Sequence, residues 1–196
     1  MELQQLIDGL QRGSQDAFRQ LVDAYQHRVY NTVLAIVQQP EEAEDVAQEV
    51  FVEIFESIHR FEGEDRLTAW IYRIATTKAL QSYRKRHARK RFAFLTSLYG
   101  TSDNDESADD RWHPVDFEHP GVKLEQKERA KVLFGAISRL SDQQKVAFTL
   151  HHVEGLSYAE ITEVMNTSLS SIESLMHRAK VNLRKQLGSY YKDSGF

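Results

Sequence analysis

Ser157-Tyr-Ala-Glu-Ile-Thr-Glu-Val-Met165, interrupted by Asn166-Thr-Ser168 and followed at once by Leu169-Ser-Ser-Ile-Glu-Ser-Leu-Met-His-Arg-Ala-Lys-Val-Asn-Leu-Arg-Lys185, decides how the C-terminal half folds. Ser157 with Glu160 three residues on is a capping box, in which hydroxyl and carboxylate satisfy free N–H groups at a helix start. Asn166-Thr-Ser168 ends that helix after nine residues. In the second helix Ile172, Leu175, Met176, Ala179 and Leu183 fall on one arc, and Ser174, His177, Arg178, Arg184 and Lys185 take the rest. A short helix, a tight turn and a longer helix with a polar, partly basic face are the parts that set a recognition helix in the DNA major groove. By themselves they also describe an ordinary helical hairpin with solvated cations. The preceding segment favours the first reading: Leu140–Leu150 starts at a Ser141 or Asp142 cap, Gly155-Leu-Ser157 breaks the chain, and Val146, Leu150 and Val153 are predicted to cover the pair from behind.

The rest of the chain is consistent with an all-α protein. Among 196 residues there are three Pro, nine Gly and 41% hydrophobic side chains, and the apolar residues recur at three-and-four spacing rather than alternating. The absence of cysteine excludes a disulfide scaffold, a cysteine-based zinc or iron–sulfur site and a thiol enzyme, and fits a reducing compartment, so a cytoplasmic location is expected. The N-terminal stretch Met1–Asp8 is acidic where a signal peptide would be basic. No apolar run approaches the roughly 20 residues of a membrane span, so no membrane insertion is expected. A net charge of −4 argues weakly against a nucleic-acid coat protein, but it conceals strong local segregation of charge.

Helices are predicted over about residues 14–37, 41–60 and 65–90, punctuated by Gln38-Gln39-Pro40 and Phe61-Glu-Gly-Glu64. Between Gly100 and Pro120 seven acids stand against a lone Arg111, with few aliphatic residues. Such a stretch buries too little apolar surface to offset about 1–2 kcal/mol of backbone ordering per residue, and it reads as a flexible acidic linker. Helices are expected again over about 121–139, 141–153, 157–165 and 169–187. This gives two small helical domains, an N-terminal bundle over 1–95 and a helix-turn-helix domain over 122–196, joined by a linker over 96–121.

In the second N-terminal helix Val46, Val50, Ile54 and Ile58 form a core ridge that Ala43, Ala47, Phe51 and Phe55 widen. Asp45, Gln48, Glu49, Glu53 and Glu56 take the opposite face, and Val52 projects from the middle of that acidic arc, as a contact residue for a partner would. The third helix carries Trp70, Tyr72 and Tyr83 and ends in Arg84-Lys-Arg-His-Ala-Arg-Lys-Arg91, where six of eight residues are Lys or Arg. Aromatic and hydroxylic groups upstream of concentrated cations suit nucleic acid: the cations neutralise phosphates, and aromatics stack on unpaired bases at about 1–3 kcal/mol each. Trp70 and Ile74 also read as core.

With these residues in view, the chain resembles the extracytoplasmic-function group of bacterial sigma factors over almost its whole length. The matching residues are Phe18, Leu21 and Tyr25, Glu44-Asp-Val-Ala-Gln-Glu-Val-Phe51, Phe61, Trp70-Ile-Tyr-Arg-Ile-Ala75 with Arg84-Lys85, then Leu140–Leu150, Glu154-Gly-Leu-Ser157, Glu160-Ile161 and Ser170–Lys180 running into Leu183-Arg184. The resemblance implies a transcription initiation factor with core RNA polymerase, promoter DNA and an anti-sigma factor as partners, and with no catalytic residues and no cofactor. It implies that Asp45, Gln48, Glu49 and Val52 bind core polymerase. Trp70, Tyr72, Arg73, Thr76, Thr77 and Tyr83 would recognise and hold open the minus-ten element, with Arg84 and Lys85 on its phosphates. Ser171, Ser174, His177 and Arg178 would read the minus-thirty-five element, and the linker would mimic nucleic acid near the RNA exit path. The chain departs from the family pattern at Thr77, where many members have Asn, at Gln81, where Asp is common, and at Glu173 and Leu175, where basic residues are common.

Two other functions compete. A stand-alone helix-turn-helix repressor or activator would share the C-terminal half but leaves the acidic and aromatic N-terminal helices without a role. A metal hydrolase would rest on His151-His152, but adjacent helical residues point about 100° apart and cannot share one metal as an i, i+4 pair can. No metal site is expected.

Overall fold

The computed structural model describes residues 3–63, 66–99 and 132–193. It contains helices α1 (Leu3–Gln11), α2 (Gln15–Val37), α3 (Pro40–Ser57), a 3-10 turn (Ile58–Arg60), α4 (Leu67–Tyr99), α5 (132–138), α6 (Asp142–His152), α7 (Tyr158–Met165) and α8 (Leu169–Asp193). No strand occurs among the described residues. The fold is all-α, in two helical units, as the apolar spacing requires.

α1 was not among the expected helices, although Leu3, Leu6, Ile7 and Leu10 carry the i, i+3, i+4, i+7 pattern in a span of two turns. So short a helix is marginal by itself and is held by its neighbours. Ile7 and Leu10 are buried, and Gln11 Nε2 donates to Phe61 O at 2.9 Å. α2 starts at Ser14, whose hydroxyl accepts from Ala17 N at 3.3 Å, and stops at Gln38, which adopts a left-handed conformation and donates its N–H to Leu34 O. Pro40 then opens α3, where its fixed φ is already helical and its missing N–H is no loss.

The N-terminal core is built by Leu21, Val29, Val33 and Ile36 of α2, Val46, Val50 and Ile54 of α3, and Leu67, Ile71 and Ala75 of α4, all essentially closed to solvent. α4 extends to Tyr99, past the expected end near 90. Its basic stretch is fastened to the bundle: Arg86 pairs with Glu42 and donates to Val37 O at 2.7 Å, and Ser82 donates to Glu42 at 2.5 Å. The first four residues of the linker expected over 96–121 thus belong to α4, and the rest of it, 100–121, lies outside the described residues.

In the C-terminal half α6, α7 and α8 pack around Leu150, Ile161, Ile172 and Met176, and Ala136 and Ile137 of α5 with Leu140 of the turn after it pack on Ala179 and Leu183. Val153, predicted to cover the helix pair, is 47% exposed instead. It falls at the C-terminal end of α6, just past the residues that pack. The capping box is formed: Ser157 Oγ accepts from Glu160 N at 3.3 Å, while Glu160 Oε2 accepts from Ser157 N at 2.8 Å and from its hydroxyl at 2.7 Å. These bonds hold the Glu160 carboxyl below the usual glutamate range. Asn166, at φ 49°, ends α7 in the left-handed conformation that asparagine tolerates. Replacing Ser157 by alanine is therefore expected to lower stability by about 1 kcal/mol and to move Glu160 back up toward its ordinary pKa; thermal melting and carboxyl NMR titration check the two parts.

The halves are not separate bodies. α4 packs against α7 and α2 against α6, and a single apolar core runs through both.

Candidate nucleic-acid interface and acidic face

On α8 the helix start is organised by Ser168, whose hydroxyl accepts from Ser171 N at 3.3 Å and exchanges hydrogen bonds with the hydroxyls of Ser170 and Ser171. Ser174, His177 and Arg178 are exposed and Ser171 is half-buried. Ser171, Ser174 and Arg178 border a groove shared with Gln143 of α6 and Thr167 of the turn, and His177 lines the open depression beside it with Glu173, Ser174 and Arg178. Arg178 Nε donates to Ser174 O at 3.2 Å, which lays the guanidinium along the groove, where a base edge or a phosphate can displace that local bond. The arrangement brings the four sequence-predicted residues onto one accessible face. Of the two departures, Leu175 points inward and is 7% exposed, so its side chain serves the core. Glu173 lies beside Ser174 and His177 on the open face and forms no ion pair with Arg178 or Lys180 among the described residues.

α3 divides its acids between two tasks. Glu42 is taken up by Ser82 and Arg86, and Glu53 pairs with Lys78 at 3.4 Å, so the edge toward α4 is neutralised. Asp45, Gln48 and Glu49 on the outer edge stay exposed with Glu44 and Glu56. Val52 is 55% exposed, as its position in the polar arc implies. Phe55, assigned above to the core ridge, is also 55% exposed and meets the Phe18 ring edge-on at 5.2 Å between centroids. Periodicity misplaced it because Phe55 lies at the margin between the two arcs, and α2 presents a ring there instead of closing over it. The outer face is thus acidic with an apolar patch of Val52 and Phe55, and Phe55 and Phe18 are the residues that sequence reasoning did not assign to it.

The α4 residues are distributed differently. Trp70 is half-buried against Phe61, 5.1 Å between ring centroids. Tyr72 and Thr76 are buried; Thr76 donates to Tyr72 O at 2.8 Å, within the helix. Thr77 and Lys85 are exposed. Arg73, Tyr83 and Arg84 reach the C-terminal half: Arg73 donates to Glu163 O at 2.5 Å and Val164 O at 3.2 Å, Tyr83 to Ser138 O at 3.2 Å, and Arg84 to Asp142 at 2.7 Å. Tyr72 donates to Glu154 at 2.5 Å; burial, then this bond, raises its phenol well above the ordinary tyrosine value, so it remains a donor at every physiological pH. In this arrangement Tyr72 and Thr76 present no side chain to an incoming strand.

Beneath Tyr83 lies Lys145, fully buried, its Nζ 3.5 Å from the ring centroid and without a hydrogen-bond partner. Burial lowers its pKa to about 8; Asp142 opposes the shift and Arg86 adds to it. Between pH 8 and the ordinary lysine value the unfolded chain binds one more proton than the fold, so this group makes the fold more stable as pH rises through that window. Lys145→Met is expected to stabilise the protein by about 2 kcal/mol at pH 7, with the gain shrinking as pH rises above 8; denaturant unfolding at a series of pH values checks this against the parent.

The adjacent histidine rings meet edge-on, 4.8 Å between centroids, and each is engaged by other groups. His151 Nδ1 donates to Leu156 O at 2.8 Å and its ring meets Tyr158, while His152 lies against Phe148. Among the described residues no group of three metal-ligating side chains occurs, and no helix is long and apolar enough to cross a membrane.

Residues 21–90 match the family model Sigma-70 region 2, and residues 131–183 match Sigma-70, region 4. The RNA polymerase sigma-H factor of Pseudomonas aeruginosa is 31% identical over 184 residues, covering 94% of this chain and 93% of the relative. The ECF RNA polymerase sigma factor SigW of Bacillus subtilis is 29% identical, covering 95% of this chain and 97% of the relative. Among solved structures, CnrH in complex with the cytosolic domain of CnrY superposes with a TM-score of 0.69 at 19% identity, covering 96% of this chain and 99% of that one. The sigma factor RpoE of Bartonella quintana, solved with the anti-sigma factor NepR, gives 0.58 at 20% identity, covering 87% of this chain and 96% of that one; the two likenesses concern the fold.

Proposed function

The chain belongs to the sigma-70 family, in its extracytoplasmic-function group, and is an RNA polymerase sigma factor that directs transcription initiation; from that premise we propose which surfaces perform each step. The observation that carries the proposal is the presence, in one chain, of an exposed acidic and apolar face on α3 and an exposed polar recognition face on α8.

Asp45, Gln48, Glu49, Val52 and Phe55 dock on a basic and apolar surface of core polymerase, with the carboxylates steering the encounter and the apolar pair contributing most of the affinity. Ser171, Ser174, His177 and Arg178 read the minus-thirty-five element in the major groove. Arg178 is the residue suited to guanine, since a guanidinium can donate to both acceptors on its edge. Trp70, Arg73, Thr77 and Tyr83 recognise the minus-ten element and hold it open, joined by Tyr72 once its bond to Glu154 is released, with Arg84 and Lys85 neutralising phosphates; Thr76, buried and bonded within α4, supports the helix rather than touching the strand. The unit over 1–95 carries the first and third of these tasks, the unit over 122–196 carries the second, and the acidic stretch 96–121 joins them. The protein acts in the cytoplasm, catalyses no covalent step of its own, and is held in check by an anti-sigma factor that covers these surfaces.

The alternative, a stand-alone repressor or activator, is separated by two affinities. Nanomolar binding to core polymerase together with weak binding to free promoter duplex supports the proposal. Tight, sequence-specific binding to duplex without polymerase, and none to core, overturns it.

A further inference from the structure

We propose that the free protein closes on itself, with Glu154 of the C-terminal half latched into the N-terminal bundle so that the promoter-facing side of α4 is covered until polymerase opens it. The Glu154 carboxylate is 4% exposed and accepts from Tyr72 Oη at 2.5 Å, Thr32 Oγ1 at 2.9 Å and Arg28 Nε at 3.4 Å. All three donors come from the other half of the molecule. A carboxylate enclosed in this way needs those donors; with the halves apart it would be hydrated, so closure is built into the side chains at the seam.

The seam has further members, and they share the same logic. Arg73 donates to two carbonyls in the last turn of α7, where unpaired acceptors and the negative end of the helix dipole favour a cation. Arg84 meets Asp142, Tyr83 meets Ser138 O and roofs Lys145, and Gln38 Nε2 donates to Phe134 O at 3.0 Å. Arg60, Arg66, Trp70 and Arg73 line a cleft whose other wall is Thr162, Glu163 and Asn166 of the C-terminal half. Tyr72, Arg73, Tyr83 and Arg84 cannot hold these partners and a DNA strand at once. The α8 face, by contrast, stays open. Closure therefore withholds the minus-ten surface while leaving the minus-thirty-five surface exposed. That functional consequence rests on the minus-ten reading given above; closure itself does not.

The chain has no cysteine, so Gln20→Cys and Lys180→Cys, both on exposed positions of opposite halves, place two spin labels without background. Pulsed electron spin resonance on the free full-length protein is expected to give one narrow distance. Glu154→Ala should transfer at least half of the population to longer, broader distances. Thr32→Val, a near-isosteric change that removes one donor and preserves the bundle, should do so to a smaller extent, and circular dichroism checks that both variants remain helical. With the parent labels, adding core polymerase should give the long distance, and both variants should associate with core at least threefold faster than the parent. A broad, long distance in the free parent, or an unchanged narrow one in both helical variants, overturns the proposal, as does an unaltered association rate. A narrow distance that responds to the variants, with no binding to core in any form, would leave the closure standing and overturn the surface assignments instead.

Discussion

Replacing Asp45, Gln48, Val52 and Phe55 together with alanine is expected to weaken association with core RNA polymerase about 100-fold, equivalent to about 2.7 kcal/mol. All four side chains are exposed, so their removal takes little from the folded chain. The main internal loss is the edge-on contact of Phe55 with Phe18, which in general contributes about 0.5–1.5 kcal/mol. The thermal midpoint should stay within about 5–10 °C of the parent. Binding energy at interfaces concentrates in a few desolvated apolar anchors, and rim charges act more on the rate of encounter. Val52→Ala with Phe55→Ala should therefore mainly raise the off-rate, and Asp45→Ala with Gln48→Ala should mainly lower the on-rate in a salt-dependent way. Titration of labelled protein against core, with rapid-mixing kinetics at two salt concentrations, measures each part. Unchanged affinity in the quadruple variant would remove this face of α3 from the polymerase interface.

The second large effect is expected at Arg178. Its guanidinium lies along the groove of α8, held among the described residues by Ser174 O, and loses little when exchanged for DNA. Removal of one bidentate base contact reduces discrimination by about 1–3 kcal/mol, so Arg178→Ala should lower transcription from an intact promoter about 10- to 100-fold with polymerase binding retained. The same variant should respond far less than the parent to scrambling of the upstream element. Equal sensitivity of parent and variant to that scrambling would remove Arg178 from sequence readout.

Much of this was legible in the residues. The buried ridge Val46, Val50, Ile54 and Ile58, the capping box at Ser157, the break at Asn166 and the exposure of Val52 each follow from local periodicity or cap chemistry, because they depend on neighbours within a turn or two. Phe55 and Val153 were assigned to packed faces and are exposed. Periodicity says which side of a helix a residue occupies, but whether another helix covers that point is a tertiary fact. α1 went unread because two turns of apolar pattern gain stability only from the bundle they dock on. Least legible was the seam. Glu154 enters the sequence reading only within the Glu154-Gly-Leu-Ser157 match and Lys145 only within Leu140–Leu150, and nothing within several residues of either indicates Tyr72, Thr32 or Tyr83 as the group it meets. Contacts across more than a hundred positions, such as Thr32 with Glu154, leave no periodic trace.

The contacts between the halves also engage the cations of α4. The family resemblance implies that Arg73 and Arg84 face DNA, and here they satisfy acceptors of the C-terminal half. Backbone carbonyls at a helix end and a carboxylate present the same demand to a guanidinium as a phosphate does. The two uses are therefore alternatives for the same side chains.

The most direct measurement is run-off transcription from a genomic fragment library with bacterial core polymerase, with and without this protein, mapping every start site. New starts that share two upstream elements, lost when either element is scrambled, are expected. Core polymerase that binds the protein yet gains no new starts would contradict that expectation.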